Sequence, residues 1–358
     1  MKAPLGIPLW TIVVPLLAAA LLGAPALFHH PLLALIPGLV LIGTVLSAVH
    51  HAEVIAHRTG EPYGTLILAV AVTVIEVSLI LSLMLAGGPG SEALARDTVF
   101  AAVMIIFTGL VGLCLLVGGY RFKEQRFGLQ GANAALITLT AIICLTLILP
   151  NYTTTTPGPA YSHPQLIFVA IVSLILYATF VAAQTVRHRD YFLADATGDE
   201  HHEAPVGKGA MILTLALLLV GLVAVVLLAK KLAPTIENGV VSLGAPKSVV
   251  GVIVALVILL PEGLAAVKAA RSNHLQTSLN LALGSALASI GLTIPAVAVA
   301  SLMTGLDLSL GLPPKDMLLL LVSLFTVALS LGTGRTNMLQ GVVLLVLFAV
   351  YLFTSIFP

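Results

Sequence analysis

The chain is predicted to be an all-α integral membrane protein of about eleven transmembrane helices, with one extra N-terminal helix and two inverted five-helix repeats. Three observations predict this. Hydrophobic residues make up 59% of the 358 and charged residues only 9%, against roughly 25% charged in soluble domains, so the chain cannot cover a water-facing surface. The apolar residues fall in continuous runs of about 20, the length that spans hydrocarbon as a helix, and not in the alternating pattern of a membrane barrel. A pattern of glutamate, glycine and proline recurs on either side of one charged loop.

Eleven spans are read, near 5–28, 32–55, 64–87, 98–119, 131–150, 164–185, 208–230, 247–268, 277–303, 316–333 and 338–357. The first follows Lys2 and could pass for a signal peptide. Its end, Ala26-Leu27-Phe28-His29-His30-Pro31, is a poor cleavage site, and the run is read as a helix. Residues 187–207 break the apolar pattern with an acidic, His-rich stretch that includes Asp195, Asp199, Glu200, His201, His202 and Glu203. The domain reading is a first helix at 1–30, a five-helix repeat at 31–186, the loop at 187–207 and a second five-helix repeat at 208–358. Cys114 and Cys144 lie inside apolar runs and read as small core residues. A net charge of +1 gives no basic surface for nucleic acid.

The repeat is read from spacing. Glu53 precedes Gly60-Glu61-Pro62 by seven residues, and Glu237 precedes Gly244-Ala245-Pro246 by seven. An apolar helix follows each, carrying one glutamate, Glu76 in the first and Glu262 in the second. The offsets are 184 for the outer glutamates and 186 for the inner pair. Five spans separate the copies, an odd number, so they run in opposite directions through the bilayer. Inverted repeats with sites near the midplane are an architecture of secondary transporters.

Glu76 and Glu262 are the only carboxylates deep in apolar spans. A bare charge there costs several kcal/mol, at about the midplane. No lysine or arginine lies comparably deep, so a cation or a proton is expected to balance each. The competing reading is a protonated glutamate in a helix–helix hydrogen bond. Pro261 and Gly263 bracket Glu262, and a proline frees a carbonyl in the preceding turn that can ligate a hard cation. Ser285, Ser289 and Thr293 recur every four residues on one face of the ninth span, after Asn280 and beside Gly284. Small-residue helix packing would produce the same stripe. Thr73 stands one turn from Glu76. Expected cation ligands are therefore Glu76, Glu262, Thr73, Ser285, Ser289 and Asn280. His50, Glu53 and His57 share a helix face and could hold a metal or sense pH, or simply be a solvated helix end. With Glu237, they are the candidates for gating or sensing. No His-Glu-x-x-His motif supports a zinc peptidase, and no cofactor is expected beyond the transported ions.

The stretch His50 to Leu66, running into Val72-Thr73-Val74-Ile75-Glu76, resembles the bacterial ChaA-type calcium/sodium–proton antiporters. Gly118 to Phe127, Leu260-Pro261-Glu262-Gly263 and Leu283 to Pro295 fit the same group, part of the cation/proton exchanger (CAX) branch of the calcium/cation antiporters. The resemblance runs from about residue 45 to the end. It implies one extra helix plus two inverted five-helix repeats, with the exchanging glutamates at Glu76 and Glu262. It also marks departures. Where that branch carries asparagine three residues before each glutamate, this chain has Thr73 and Leu259; its glutamine falls at Ala288, and its Ser-Asn pair at Ile106 and Phe107. Calcium takes six to eight oxygens, so a shell this poor in amides makes sodium or potassium more credible.

The expected function is export of Ca²⁺, Na⁺ or K⁺ in exchange for protons across the cell inner membrane. A monovalent-only antiporter, a cation channel and an intramembrane metalloenzyme are the alternatives. Orientation follows from lysine and arginine. With the N-terminus in the cytoplasm, eleven of the 16 fall on the cytoplasmic side and five outside. A reporter fused after Pro358 should therefore read as external, and one placed in the 187–207 loop as cytoplasmic; a cytoplasmic C-terminus would refute the span count or the orientation.

Overall fold

The computed structural model describes residues 8–23, 28, 35–60, 63–86, 90–192 and 208–357. Among them eleven helices follow the predicted order. They are α1 (Leu9–Leu21), α2 (Leu35–Thr59), α3 (Tyr63–Ala86), α4 (Ser91–Phe122), α5 (Leu129–Tyr152) and α6 (His163–Arg187). After the loop come α7 (Lys208–Ser242), α8 (Ser248–Arg271), α9 (Leu275–Thr304), α10 (Pro314–Leu331) and α11 (Met338–Ile356). All but α1 are long and apolar enough to cross a bilayer; α1 has 13 residues, fewer than the predicted span at 5–28. Apolar side chains also face outward, as on α6, where Ile167, Phe168, Ile171, Leu174 and Ile175 are exposed. Such a patch suits lipid and not water. The chain is an all-α, multi-pass membrane protein.

The helices form two compact units, Met1–Ser91 with Thr197–Val250, and Glu92–Ala196 with Gly251–Pro358. Neither coincides with a sequence half. The first unit holds α1, α2, α3 and α7. Its centre is α2, which packs on the other three. Thr44, Ser47, Ala48, His51, Ala52 and Ile55 repeat at helical spacing along α2 and are buried.

A proline fixes how α1 docks. Pro15 lies inside α1 and has no N–H to offer the carbonyl one turn back, that of Thr11. That carbonyl is buried and in hydrocarbon must be satisfied by another donor. Ser47 Oγ donates to it at 2.8 Å, and His51 Nε2 lies 3.2 Å away. Across the same unit, Lys231 Nζ donates to the Leu22 carbonyl and stands 5.2 Å from the centre of the Phe28 ring. The predicted span at 208–230 stopped at these lysines. The helix instead continues through Pro234 to Ser242, because long lysine stems can lie along apolar surface while the ammonium finds polar partners.

The second unit holds α4, α5, α6, α8 from Gly251 onward, α9, α10 and α11. A seam of glycines lets α4 and α11 touch backbone to backbone. A Cβ added at Gly341 would lie 2.4 Å from Leu116 N and 2.7 Å from Gly112 O; one added at Gly119 would lie 2.4 Å from Met338 N. Past the seam the chain forms a short antiparallel ribbon, β1 (Glu124–Arg126) with β2 (Arg335–Asn337), pairing Glu124 with Asn337 and Gln125 with Thr336. The buried Gln125 side chain donates to Ala270 O at 3.2 Å and Asn273 Oδ1 at 2.9 Å, which holds the end of α8.

Three helices of this unit contain π-helical turns, at Ile105–Leu110 in α4, Cys144–Ile148 in α5 and Ala183–Arg187 in α6. Widened turns leave carbonyls without their usual partners. In α5 the Leu145 carbonyl accepts from the Tyr161 hydroxyl. Burial pushes that phenol up to about 12, so it stays a neutral donor.

The glycine seam makes a direct prediction. Gly341→Ala should lower stability by about 1–3 kcal/mol, since its methyl group meets backbone that cannot give way. Gly239→Ala in α7 meets nothing within 4 Å and should be neutral or slightly stabilising. Thermal unfolding of the two variants in detergent would check this; equal melting temperatures would remove the seam as a constraint.

Candidate functional site

Glu76 and Glu262 occupy matching places. Each sits just past the middle of a 24-residue helix, α3 or α8. Each helix follows a left-handed glycine, Gly60 or Gly244, both with φ of 72°. Only glycine adopts that conformation cheaply, which explains why the spacing repeats with this residue type. The turn at Gly60 is tight: a Cβ at Gly64 would lie 2.3 Å from Ala56 O.

In the first unit, Glu76 is 1% exposed, with Ile75, Leu79 and Ile80 buried around it on α3. Thr73, one turn away, is also buried, and its hydroxyl donates to the Ala69 carbonyl at 2.8 Å. A hydroxyl whose proton is committed backward presents only lone pairs outward. That suits it to accept a cation.

In the second unit, Glu262 is half-buried and its Oε2 atom is fully so. The adjacent Pro261 withholds the N–H that would bond Val257, so a carbonyl one turn before the carboxylate is free to face a partner of another kind. On α9, Ser289 and Thr293 are buried and Ser285 is half-buried, on one helix face as the spacing predicted. Pro295 releases the carbonyl of Gly291 within the same stretch. Close to Gly263, Leu110 ends the π-helical turn of α4, in which all six residues are buried. Within that turn Thr108 is 0% exposed and donates to the Met104 carbonyl, the same arrangement as Thr73. In the sequence Thr108 stands alone in the run Ile105-Ile106-Phe107-Thr108-Gly109, with no periodic partner to single it out.

Asn280 is engaged elsewhere. Its Nδ2 donates to the Phe192 carbonyl at 2.6 Å, and its Oδ1 accepts from Gln276 Nε2 at 3.0 Å. Gln276 also accepts from Gly128 N at 2.5 Å. These amides tie the end of α9 to the chain leaving α6. The cavity that Asn280 lines has a volume of about 10 Å³, room for no more than one water.

His50, Glu53 and His57 lie on α2 as predicted, His50 and Glu53 half-buried and His57 exposed. The metal reading is corrected: among the described residues no group of three His, Cys, Asp or Glu side chains could hold a metal ion. His50 instead packs its ring 5.9 Å from Trp10 and 5.8 Å from His51. The neighbouring His51, not singled out in the sequence, is the histidine that bonds across to α1. Its spacing of four from Ser47 was the available signal. Glu237 is half-buried and pairs with Lys247 at 3.5 Å. The acidic residues from Asp195 to Glu203 lie outside the described residues.

Comparison with known proteins agrees with this architecture. A relative from Sinorhizobium fredii, y4hA, named only as an ionic transporter, is 48% identical over 98% of this chain and 97% of its own. The sodium-potassium/proton antiporter ChaA of Escherichia coli is 39% identical over 92% of this chain and 89% of its own. Among solved structures, native YfkE superimposes with a TM-score of 0.74 over 97% of this chain and 100% of that one, at 17% identity. At that identity the likeness speaks for the fold alone. The family model for the sodium/calcium exchanger protein matches residues 29–186 and 213–357, one stretch on each side of the acidic loop, and the chain therefore belongs to the sodium/calcium exchanger family.

Proposed function

We propose that the protein is a cation/proton antiporter whose exchanging groups are Glu76 and Glu262. One observation carries this: a single carboxylate stands just past the middle of an equivalent 24-residue helix in each half of the chain, in surroundings that disfavour a bare charge. Each carboxylate must therefore hold either a proton or a cation. Moving between states open to one side of the membrane and then the other, such a pair couples the two flows. Protons entering drive cation out of the cytoplasm. The relation to ChaA, a sodium-potassium/proton antiporter by name, supports the same reading.

The halves at 31–186 and 208–358 are proposed as inverted repeats, supported by the paired left-handed glycines and the two stretches matched by the family. The bacterial relatives support residence in the cell inner membrane; the lysine and arginine distribution supports a cytoplasmic N-terminus and an external C-terminus. A channel would also use buried acids, but it has no need of a titrating group at the same place in each half.

Two glutamates supply two negative charges. They balance one Ca²⁺ or, with one proton retained, one Na⁺ or K⁺. The proposed neutral ligands are Thr73 beside Glu76 in the first unit, and Ser285, Ser289 and freed carbonyls in the unit that holds Glu262. Asn280, with both amide atoms engaged, serves better as an anchor for α9 than as a ligand. Of the positions where the CAX branch carries amides, Leu259 and Phe107 are here buried and apolar. A shell with fewer side-chain oxygens holds a divalent ion less tightly, so selectivity is broad, across Na⁺, K⁺ and Ca²⁺.

Glu76→Gln and Glu262→Gln keep shape and remove the titrating charge. Each should lower exchange in sealed vesicles more than about tenfold while leaving insertion and folding intact. Near-normal transport in either variant would remove that residue from the mechanism.

Protons and cations compete for the same carboxylates. Raising the pH strips protons, so apparent cation affinity should rise by up to about tenfold per pH unit for each proton displaced. Proton flux in inverted vesicles, measured at several pH values with Na⁺, K⁺ and Ca²⁺ in turn, tests both claims. A strict requirement for Ca²⁺ would sink the broad selectivity. An affinity indifferent to pH would sink the shared carboxylates.

A further inference from the structure

Away from the proposed exchange residues, the second unit holds a cavity of about 340 Å³ lined by Arg121, Leu264, Val267, Lys268, Arg271 and Ser272. It lies where α4 and α8 both end. Arg121 Nη1 donates to the Arg271 carbonyl at 3.2 Å, which draws the two helix ends together. Cations at helix C-termini are favoured by the helix dipole, and that alone would account for one or two of them. It does not account for three around one concavity. Among the described residues none of the three forms an ion pair, while the nearby Glu124 is occupied by Arg335 at 3.6 Å. Three like charges facing a shared space repel one another unless an anion sits between them.

The other wall is apolar. Leu264 is 63% exposed, and Val267 stands beside it. Farther along α8, Leu256 and Ile253 are exposed as well. At positions 253, 256, 264 and 267 they make a stripe along a membrane-spanning helix that ends at Lys268 and Arg271. A free phosphate would use the cations and leave this stripe unused. A phospholipid uses both, with its phosphate among the cations and an acyl chain along the stripe. Basic pockets at the cytoplasmic ends of membrane helices bind anionic headgroups in this manner.

We infer that Arg121, Lys268, Arg271 and Ser272 form a headgroup site for an anionic phospholipid, with Leu264 and Val267 seating the start of its acyl chain. In the proposed orientation the lipid belongs to the inner leaflet. This site is independent of the exchange chemistry, and its occupancy is read without a transport assay.

Native mass spectrometry of the full chain in detergent supplies the test. Phosphatidylglycerol and phosphatidylcholine of equal chain length are added in competition, and inorganic phosphate is then titrated in. Retention of phosphatidylglycerol over phosphatidylcholine is expected, unaffected by millimolar phosphate. Affinity should fall about fivefold for each cation removed. Lys268→Gln reads the charge alone, since Lys268 is exposed and Arg121 also holds the Arg271 carbonyl. Arg121→Gln with Arg271→Gln should add to the loss. The control Lys123→Gln with Arg126→Gln removes two exposed cations outside the cavity and should leave the preference unchanged. No preference for the anionic lipid, or an equal preference in Lys268→Gln, would overturn the site. Displacement of the lipid by inorganic phosphate would overturn it too, by identifying a free-anion pocket instead.

Discussion

In hydrocarbon there is no water to satisfy a carbonyl that its own helix has abandoned, and the fold depends on meeting that requirement. Each proline inside a helix creates one such carbonyl, and each π-helical turn creates more. The chain answers with side chains from elsewhere. Ser47 and His51 reach from α2 to the carbonyl freed by Pro15, and Tyr161 reaches to the widened turn of α5. Threonines answer locally, bonding back to the preceding turn, as Thr44, Thr98, Thr146 and Thr214 do. Buried hydroxyls are thus largely spent on backbone, and the packing of α1 on α2 follows from a single missing N–H.

The same scarcity of partners is what makes the proposed chemistry work. A carboxylate in water can stand bare, because the solvent stabilises its charge. In an apolar helix a bare charge is costly, and in the proposed mechanism each glutamate takes a proton or a cation in turn. Thr73 and Thr108, with their protons committed backward, offer lone pairs and no donor. Pro261 and Pro295 add carbonyl oxygen near the acid and the hydroxyl stripe. Within each unit, neutral oxygens of this kind bring no fixed positive charge that would hold the carboxylate permanently.

The helices were legible in the sequence because apolar run length maps directly onto bilayer thickness, and the glycine before each acid-bearing helix was legible because its backbone conformation admits little else. The two acids stood out as charges where charge is expensive. Other features had no local signature. The grouping of α1, α2 and α3 with α7 depends on contacts between residues far apart in sequence. The π-helical turns leave the apolar pattern unchanged, so α4 read as an ordinary span. Lys230 and Lys231 read as a helix end, although α7 carries them inside its length. Asn280 looked like a ligand because an amide beside a hydroxyl stripe suits a cation. Its partner Gln276 stands at the ordinary helical spacing of four, but Phe192 comes from a distant chain segment that no spacing rule would join to it.

The ribbon joining β1 to β2 has a consequence for how the protein is made. Glu124 through Arg126 emerge from the ribosome 211 residues before their partners, Arg335 through Asn337. The glycine seam between α4 and α11 has the same timing. At ordinary rates of synthesis the interval is roughly 10–40 s. Throughout it α4 stands inserted with its narrowest face open and the polar edge that follows it unmatched. The second unit therefore closes after α11 arrives and cannot mature helix by helix as the ribosome advances. A stalled or truncated product lacking that helix presents an exposed backbone groove in the membrane, the kind of lesion by which a cell's quality-control proteases can tell an unfinished chain from a finished one.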